Sequence, residues 1–184
     1  MTLEKIFSGI YERKEWGEGS GGGTDAGVTG PWAKVASDVI LLHGFRRIVS
    51  IGCGDGIADR DIRLYGADYL GIDCVPSIIK RARANFVARR FEVGSRPDLY
   101  HADLYLLKEV TQHLSNNHVR ALLSRCAGAS ILHCSATTGP VHDIKTGGYR
   151  PVWLDREPFN LKTTRLAEWE YATTAYQIEL LEAR

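Results

Sequence analysis

IVSIGCGDG, residues 48–56, joins an apolar run to three glycines at alternate positions, Gly52, Gly54 and Gly56, with Cys53 and Asp55 between them. A buried strand feeding such a turn lets backbone approach a ligand closely, because no Cβ stands in the way. A second apolar run, YLGID, ends in Asp73, which lies 21 residues beyond Gly52. An acid closing the next parallel strand at that distance can accept from both hydroxyls of a ribose. Alone, the glycines would be an ordinary turn. In the order strand, glycines, helix, strand and acid they point to a nucleoside-bearing ligand.

The spacing is GxGxG rather than GxGxxG. That argues against a dinucleotide and for S-adenosylmethionine. The arrangement resembles the first two motifs of the Rossmann-like, class I methyltransferases. Two later stretches, ADLYLLKEVTQHLSN at 102–116 and DIKTGGYRPVWL at 143–154, narrow the likeness. They are similar to a subgroup of small bacterial and phage class I methyltransferases. Its fourth strand runs into Lys-Asp-Val-Leu-Gln-His-Leu-Ser-Asn, and a Gly-Gly-Tyr-Arg-Pro block follows. Trp16 and Gly19-Ser20-Gly21 match a tryptophan and a Gly-Ser-Gly stretch near the start of those proteins. The resemblance implies contacts to the cofactor from Trp16, Ser20, Gly52, Cys53, Gly54, Asp55, Gly56 and Asp73. Ser95 stands near the usual acid for the adenine amino group, and Ser50 where an acid usually precedes the first glycine. Both serines lack the charge that strengthens such a bond. They keep open a second reading, a cofactor-binding pseudoenzyme serving as a partner subunit.

Catalysis from a sulfonium needs alignment and, for some acceptors, removal of a proton. Ligands of open α/β sheets sit outside the carboxyl ends of the strands. Lys108, Glu109, Gln112 and His113 leave the carboxyl end of a fourth strand expected over 102–107. His113 has the pKa range of a general base, and Glu109 could orient it. The plainer alternatives are a capping histidine and a Lys108–Glu109 ion pair. Tyr149 and Arg150 sit in a glycine-led loop and are read as contacts to substrate or cofactor, a ring and a fork for an anion. His133, His142 and Asp143 lack the spacing of a metal signature, and no cysteine pair has CxxC spacing.

The remaining pattern predicts helices over 32–43, 58–64 and 76–86 and after Asn116 or Asn117 as a cap. Strands are expected at 48–51, 69–73, 89–93, 102–107 and 129–134, with two more near 168–173 and 175–181. Alternating elements ending in a strand pair predict an α/β fold: a mostly parallel sheet of about seven strands with an antiparallel edge and helices on both faces. Residues 1–184 read as one domain, with 1–31 an N-terminal segment whose glycine-rich stretch, 16–31, is either a linker or a lid over the nucleoside. Lys80, Arg81, Arg83, Arg89 and Arg90 read as the wet face of a helix.

A net charge of +1 offers no general attraction to nucleic acid, and the chain lacks the run of about 18 apolar residues that spans a bilayer. Cys53, Cys74, Cys126 and Cys134 read as reduced thiols, in keeping with an expected cytosolic location. With 184 residues and no separate substrate domain, the expected acceptor is small: a glycan, a nucleotide derivative or another small metabolite.

Overall fold

A computed structural model describes residues 2–17 and 19–183. Met1, Arg184 and Glu18, the last within the glycine-rich stretch, lie outside the described residues. Seven strands form one sheet: β1 (Arg47–Ile51), β2 (Asp68–Asp73), β3 (Arg90–Val93), β4 (Leu104–Lys108), β5 (Ser130–Ala136), β6 (Thr164–Tyr171) and β7 (Thr174–Leu181). Their order is β3-β2-β1-β4-β5-β7-β6. β1 to β5 run parallel, and β7 and β6 close the edge antiparallel. The order reverses between β1 and β4, where such sheets open a crevice at their carboxyl ends.

Strand residues alternate between two cores. Ile48, Tyr69, Leu104, Leu106, Leu132 and Ile178 face α2 (Ala26–His43) and α3 (Pro76–Asn85). Val49, Leu70, Ile72, Tyr105, Leu107 and Ile131 face α4 (Asn116–Arg125), with Leu3 and Phe7 of α1 (Leu3–Glu12) packed beside them. Both faces are therefore covered, as a parallel sheet requires. The expected architecture is borne out.

Several boundaries differ for physical reasons. α2 begins at Ala26, six residues before the expected start, with Pro31 inside it. A proline there removes the donor to the carbonyl four residues back, Gly27. Trp169 Nε1 of β6 supplies the missing hydrogen bond to Gly27 O, at 3.2 Å. The helix expected over 58–64 is only a 3-10 turn, Ile57–Asp59. The Arg89 guanidinium donates to the carbonyls of Asp59, Arg60 and Ile62, which a helix would have used itself. Arg83 likewise donates to Phe91 O, so two of the five basic residues bind the fold together rather than line a wet face. β4 begins two residues later than expected and ends one later. Ser115, not Asn116 or Asn117, caps α4, its hydroxyl accepting from His118 N. The N-terminal segment forms α1, an element absent from the expectation.

Asp59 is almost fully buried and accepts from Trp32 Nε1 at 2.9 Å and Tyr69 OH at 2.8 Å. It ties α2 to β2 beneath the glycine turn. Asp59→Ala strands two buried donors and is expected to cost about 2–4 kcal/mol, read as a lower denaturation midpoint. Wild-type stability in that variant would mean that water replaces the carboxylate.

Candidate functional site

The crevice holds a cavity of about 670 Å³, within the range of small-molecule sites. Its floor is the backbone of Ile51 to Gly54 at the end of β1, and Asp73 and Cys74 at the end of β2. Gly94 and Ser95 after β3 form one flank, and Lys108 to Val110 with Gln112 to Leu114 after β4 form the other. Thr2, Leu3, Phe7, Tyr11, Trp16 and residues 20–24 form the roof. Four parallel strands thus present their carboxyl ends to one space.

The glycine turn is built by its conformation. Gly52, Gly54 and Gly56 all have positive φ, at 65°, 57° and 82°. A Cβ on Gly54 would stand 2.2 Å from Ser20 Oγ, so the residue is bound by φ and by contact with the roof. The Asp73 carboxylate accepts from Gly54 N at 3.1 Å and from Val75 N at 2.9 Å. Burial pushes its carboxyl up, against these N–H groups and that of Cys74. The Asp73 side chain lines the cavity. Burial also drives the Cys74 thiol up to about 12, so it is a poor nucleophile.

The roof is fastened at three points. Ser20 Oγ donates to Asp55 Oδ1 at 3.1 Å and accepts from Asp55 N at 2.9 Å. Lys108 Nζ donates to Gly23 O at 2.6 Å and pairs with Glu109. Trp16 packs on the His113 ring, with centroids 4.5 Å apart, and on Tyr11 and Phe7. A Cβ on Gly23 would meet Glu109 Oε2 at 2.3 Å, so the approach is as close as glycine permits. Glu109 has φ +56°, a conformation that non-glycine residues adopt at a cost and that clusters at functional sites.

His113 closes the 3-10 turn Thr111–His113 just beyond β4. Its Nδ1 lies 2.9 Å from Gly148 O, which can only accept, so Nδ1 carries the proton and Nε2 keeps its lone pair. Burial lowers its pKa, against the Gly148 carbonyl and the Glu109 charge. The ring is neutral at physiological pH and able to take a proton. Gln112 stands between Glu109 and His113, its amide nitrogen 3.4 Å from Glu109 Oε1 and 3.5 Å from His113 Nε2.

Of the residues singled out in the sequence, Gly52, Cys53, Gly54, Asp73, Trp16, Ser20, Ser95, Lys108, Glu109, His113 and Tyr149 line this one space. Three others stand behind its wall. Asp55 is buried under the turn against Ser20. Gly56 abuts Phe86 and Phe91. Arg150 is 2% exposed, donates to Leu114 O and lies over the Phe159 ring, so its guanidinium is a packing element rather than a fork for an anion. Ser50 is likewise buried, beside the Tyr69 hydroxyl. Sequence reasoning missed the α1 contribution, whose signal was Leu3, Phe7, Ile10 and Tyr11 at helical spacing after a capping Thr2. Among the described residues no group of three or more acidic, histidine or cysteine side chains could hold a metal ion, and no helix is long and apolar enough to cross a membrane.

No protein-family model matches the chain, and no curated protein does. Solved structures do. Magnesium protoporphyrin IX methyltransferase (ChlM) from Synechocystis PCC 6803, with bound SAH, is 16% identical at a TM-score of 0.67, over 99% of this chain and 98% of that one. The N-terminal domain of EvdMO1, crystallised in the presence of SAH and D-fucose, is 17% identical at 0.61, over 100% and 98%. An O-methyltransferase family protein from Burkholderia thailandensis is 15% identical at 0.57, over 85% of this chain and 57% of that one. The fold is the Rossmann-like fold found in methyltransferases.

The lowered His113 pKa has a measurable consequence. The unfolded ring titrates near 6.5 and the folded ring below it, so protonation favours the unfolded chain. The His113 contribution is fully present above the unfolded pKa and is lost as pH falls from there through the folded value. Denaturation midpoints of wild type and His113→Gln, measured from neutral to acid pH, are expected to converge across that window. Parallel curves would contradict it.

Proposed function

We propose that the protein is an S-adenosylmethionine-dependent methyltransferase acting on a small acceptor. The observation that carries this reading is one cavity faced by the Gly52–Gly54 backbone, the Asp73 carboxylate and the neutral His113 ring. In this reading the ribose hydroxyls donate to Asp73, relieving the desolvation that raises its pKa. The amino-acid end lies over Gly52 to Gly54 and near Ser20, and the adenine lies toward Ser95. Bound there, the cofactor would supply an activated methyl group. Tyr11, Trp16 and the fastened glycine stretch exclude water from it, which supports Trp16 and residues 20–24 as a lid.

His113 is the general base in this reading: Nε2 takes the acceptor's proton, and Nδ1–H stays on the Gly148 carbonyl to hold the ring. Gln112 orients the ring, and the Glu109 charge favours the imidazolium that forms. Lys108 is a tether for the lid rather than a reactant, because its ammonium is committed to Gly23 O and Glu109. Tyr149, half exposed beside His113 with ring centroids 6.0 Å apart, forms the acceptor's entrance. A base is needed for hydroxyl-bearing acceptors, and the neighbour crystallised with D-fucose makes a deoxysugar the first acceptor to test. The intact carboxylate, glycine turn and base favour this reading over a pseudoenzyme.

Titration calorimetry with S-adenosylmethionine and its demethylated product, S-adenosylhomocysteine, is expected to give saturable binding to the wild type. Asp73→Ala is expected to lose about 1.5–3 kcal/mol of it, the range for hydrogen bonds to a charged group. No heat with either ligand would overturn the reading.

Once an acceptor is found, His113→Ala is expected to keep cofactor affinity and lose roughly 10²- to 10⁴-fold in turnover. Unchanged turnover in a folded variant would remove His113 as the base.

A further inference from the structure

Under the turn that carries His113 runs a buried polar chain with no part in binding or proton removal. Thr111 and His133 are fully buried and Glu179 almost so. Thr111 Oγ1 lies 2.6 Å from His133 Nε2, and His133 Nδ1 lies 3.2 Å from Glu179 Oε1. Glu179 Oε1 also accepts from Leu154 N and Gln177 Nε2, both at 3.0 Å, and Oε2 from the Thr163 hydroxyl at 2.8 Å. Hydroxyl, imidazole and carboxylate in this order have the connectivity of a nucleophile triad. Fully buried, Thr111 cannot be reached by a substrate, so the chain does other work.

Its polarity follows from its far end. Burial pushes the Glu179 carboxyl up, but the His133, Leu154 and Thr163 donors together hold it below the usual carboxylate range. An ionised carboxylate only accepts, so His133 Nδ1 must donate to it. Where Nε2 carries no proton it only accepts, so the Thr111 hydroxyl donates to His133 across the 2.6 Å contact. That directs the hydroxyl away from the nearby backbone carbonyls with which a threonine otherwise competes. It also pins the first residue of the turn to β5, and through β5 to β7.

The rest of the turn is fixed by neighbouring bonds. Gln112 Oε1 accepts from Ala136 N at 3.2 Å, Gln112 O from Arg150 N at 3.0 Å and His113 O from Gly147 N at 2.8 Å. The last two belong to the loop whose Gly148 carbonyl holds His113 Nδ1. Thr111 thus anchors one end of the turn to β5, while Gln112 O and His113 O join the other end to that loop. We propose that Thr111, His133 and Glu179 form a positioning relay, which holds the His113 ring at the Gly148 carbonyl and so fixes which ring nitrogen is free toward the cavity.

The proposal rests on the reading of His113 as a base facing the cofactor, yet its test needs neither acceptor nor turnover. Long-range proton–nitrogen spectra of the full chain report which nitrogen of each histidine is protonated. His113→Gln and His133→Gln spectra assign the two rings. In the wild type both rings are expected as Nδ1–H tautomers at neutral pH. Thr111→Val keeps the shape and removes the donor, Thr111→Ser restores the donor, and Glu179→Gln weakens the far anchor. Thr111→Val and Glu179→Gln are expected to move His113 to a mixture of tautomers, and Thr111→Ser to resemble wild type. A folded Thr111→Val with wild-type His113 signals, whatever its melting temperature, would overturn the relay. So would a wild-type His133 carrying a proton on Nε2, a result that stands even if Thr111→Val fails to fold. The nitrogen signals are read equally well with or without S-adenosylhomocysteine. A failure of cofactor binding and a failure of the relay are therefore separate results.

Discussion

The Asp73 carboxylate holds the crevice open. It closes β2, and with one oxygen on Gly54 N and the other on Val75 N it joins the glycine turn after β1 to the start of α3. Two chain reversals separated by a strand are thereby fixed against each other. A buried carboxylate is costly unless bonded, and the backbone N–H groups reduce that cost without satisfying it fully. The same carboxylate lines the cavity, so the anchor that shapes the site is also part of its wall.

Around that anchor the molecule assigns its polar groups to two different tasks. Asp59, Arg83, Arg89 and Arg150 bond inward, to backbone carbonyls or ring donors, and hold elements together. Asp73, Glu109, Gln112 and His113 turn to the cavity. The second group is assembled at the carboxyl ends of β2 and β4, where the parallel strands stop and no longer pair. The left-handed backbone at Glu109 belongs to the same place. There the chain must turn sharply to direct its next residues over the cavity, and its amide is held by the Cys134 carbonyl at 2.7 Å.

The roof depends on the floor in the same way. Glycine-rich chain loses much entropy on ordering, so it stays in place only where specific bonds offset that loss. Here those bonds are Ser20 to Asp55, Lys108 to Gly23 O, and the packing of Trp16 on His113. Each joins the N-terminal segment to a residue in or directly behind the cavity wall. The α1 helix adds Leu3 and Phe7 to the apolar face shared with α4.

The sheet was legible in the sequence because parallel strands buried on both faces read as short apolar runs, and Gly52, Gly54 and Asp73 were legible because their chemistry is local. A turn of positive φ needs glycine, and an acid that ends a strand sits at its carboxyl end whatever packs around it. Which neighbours share the cavity was decided only by tertiary structure. Asp55 and Arg150 carry the same charges in sequence as residues that face the void, yet one turns under the glycine turn and the other against Phe159. Arg89 looked like part of a wet face until the carbonyls of residues 59–62 came within its reach. Pro31 looked like a helix boundary until Trp169, 138 positions later in the chain, took up the carbonyl it leaves free. Periodicity and turn chemistry are properties of adjacent residues. Burial, pKa and access to the cavity depend on groups brought near by the fold, and no local pattern encodes them.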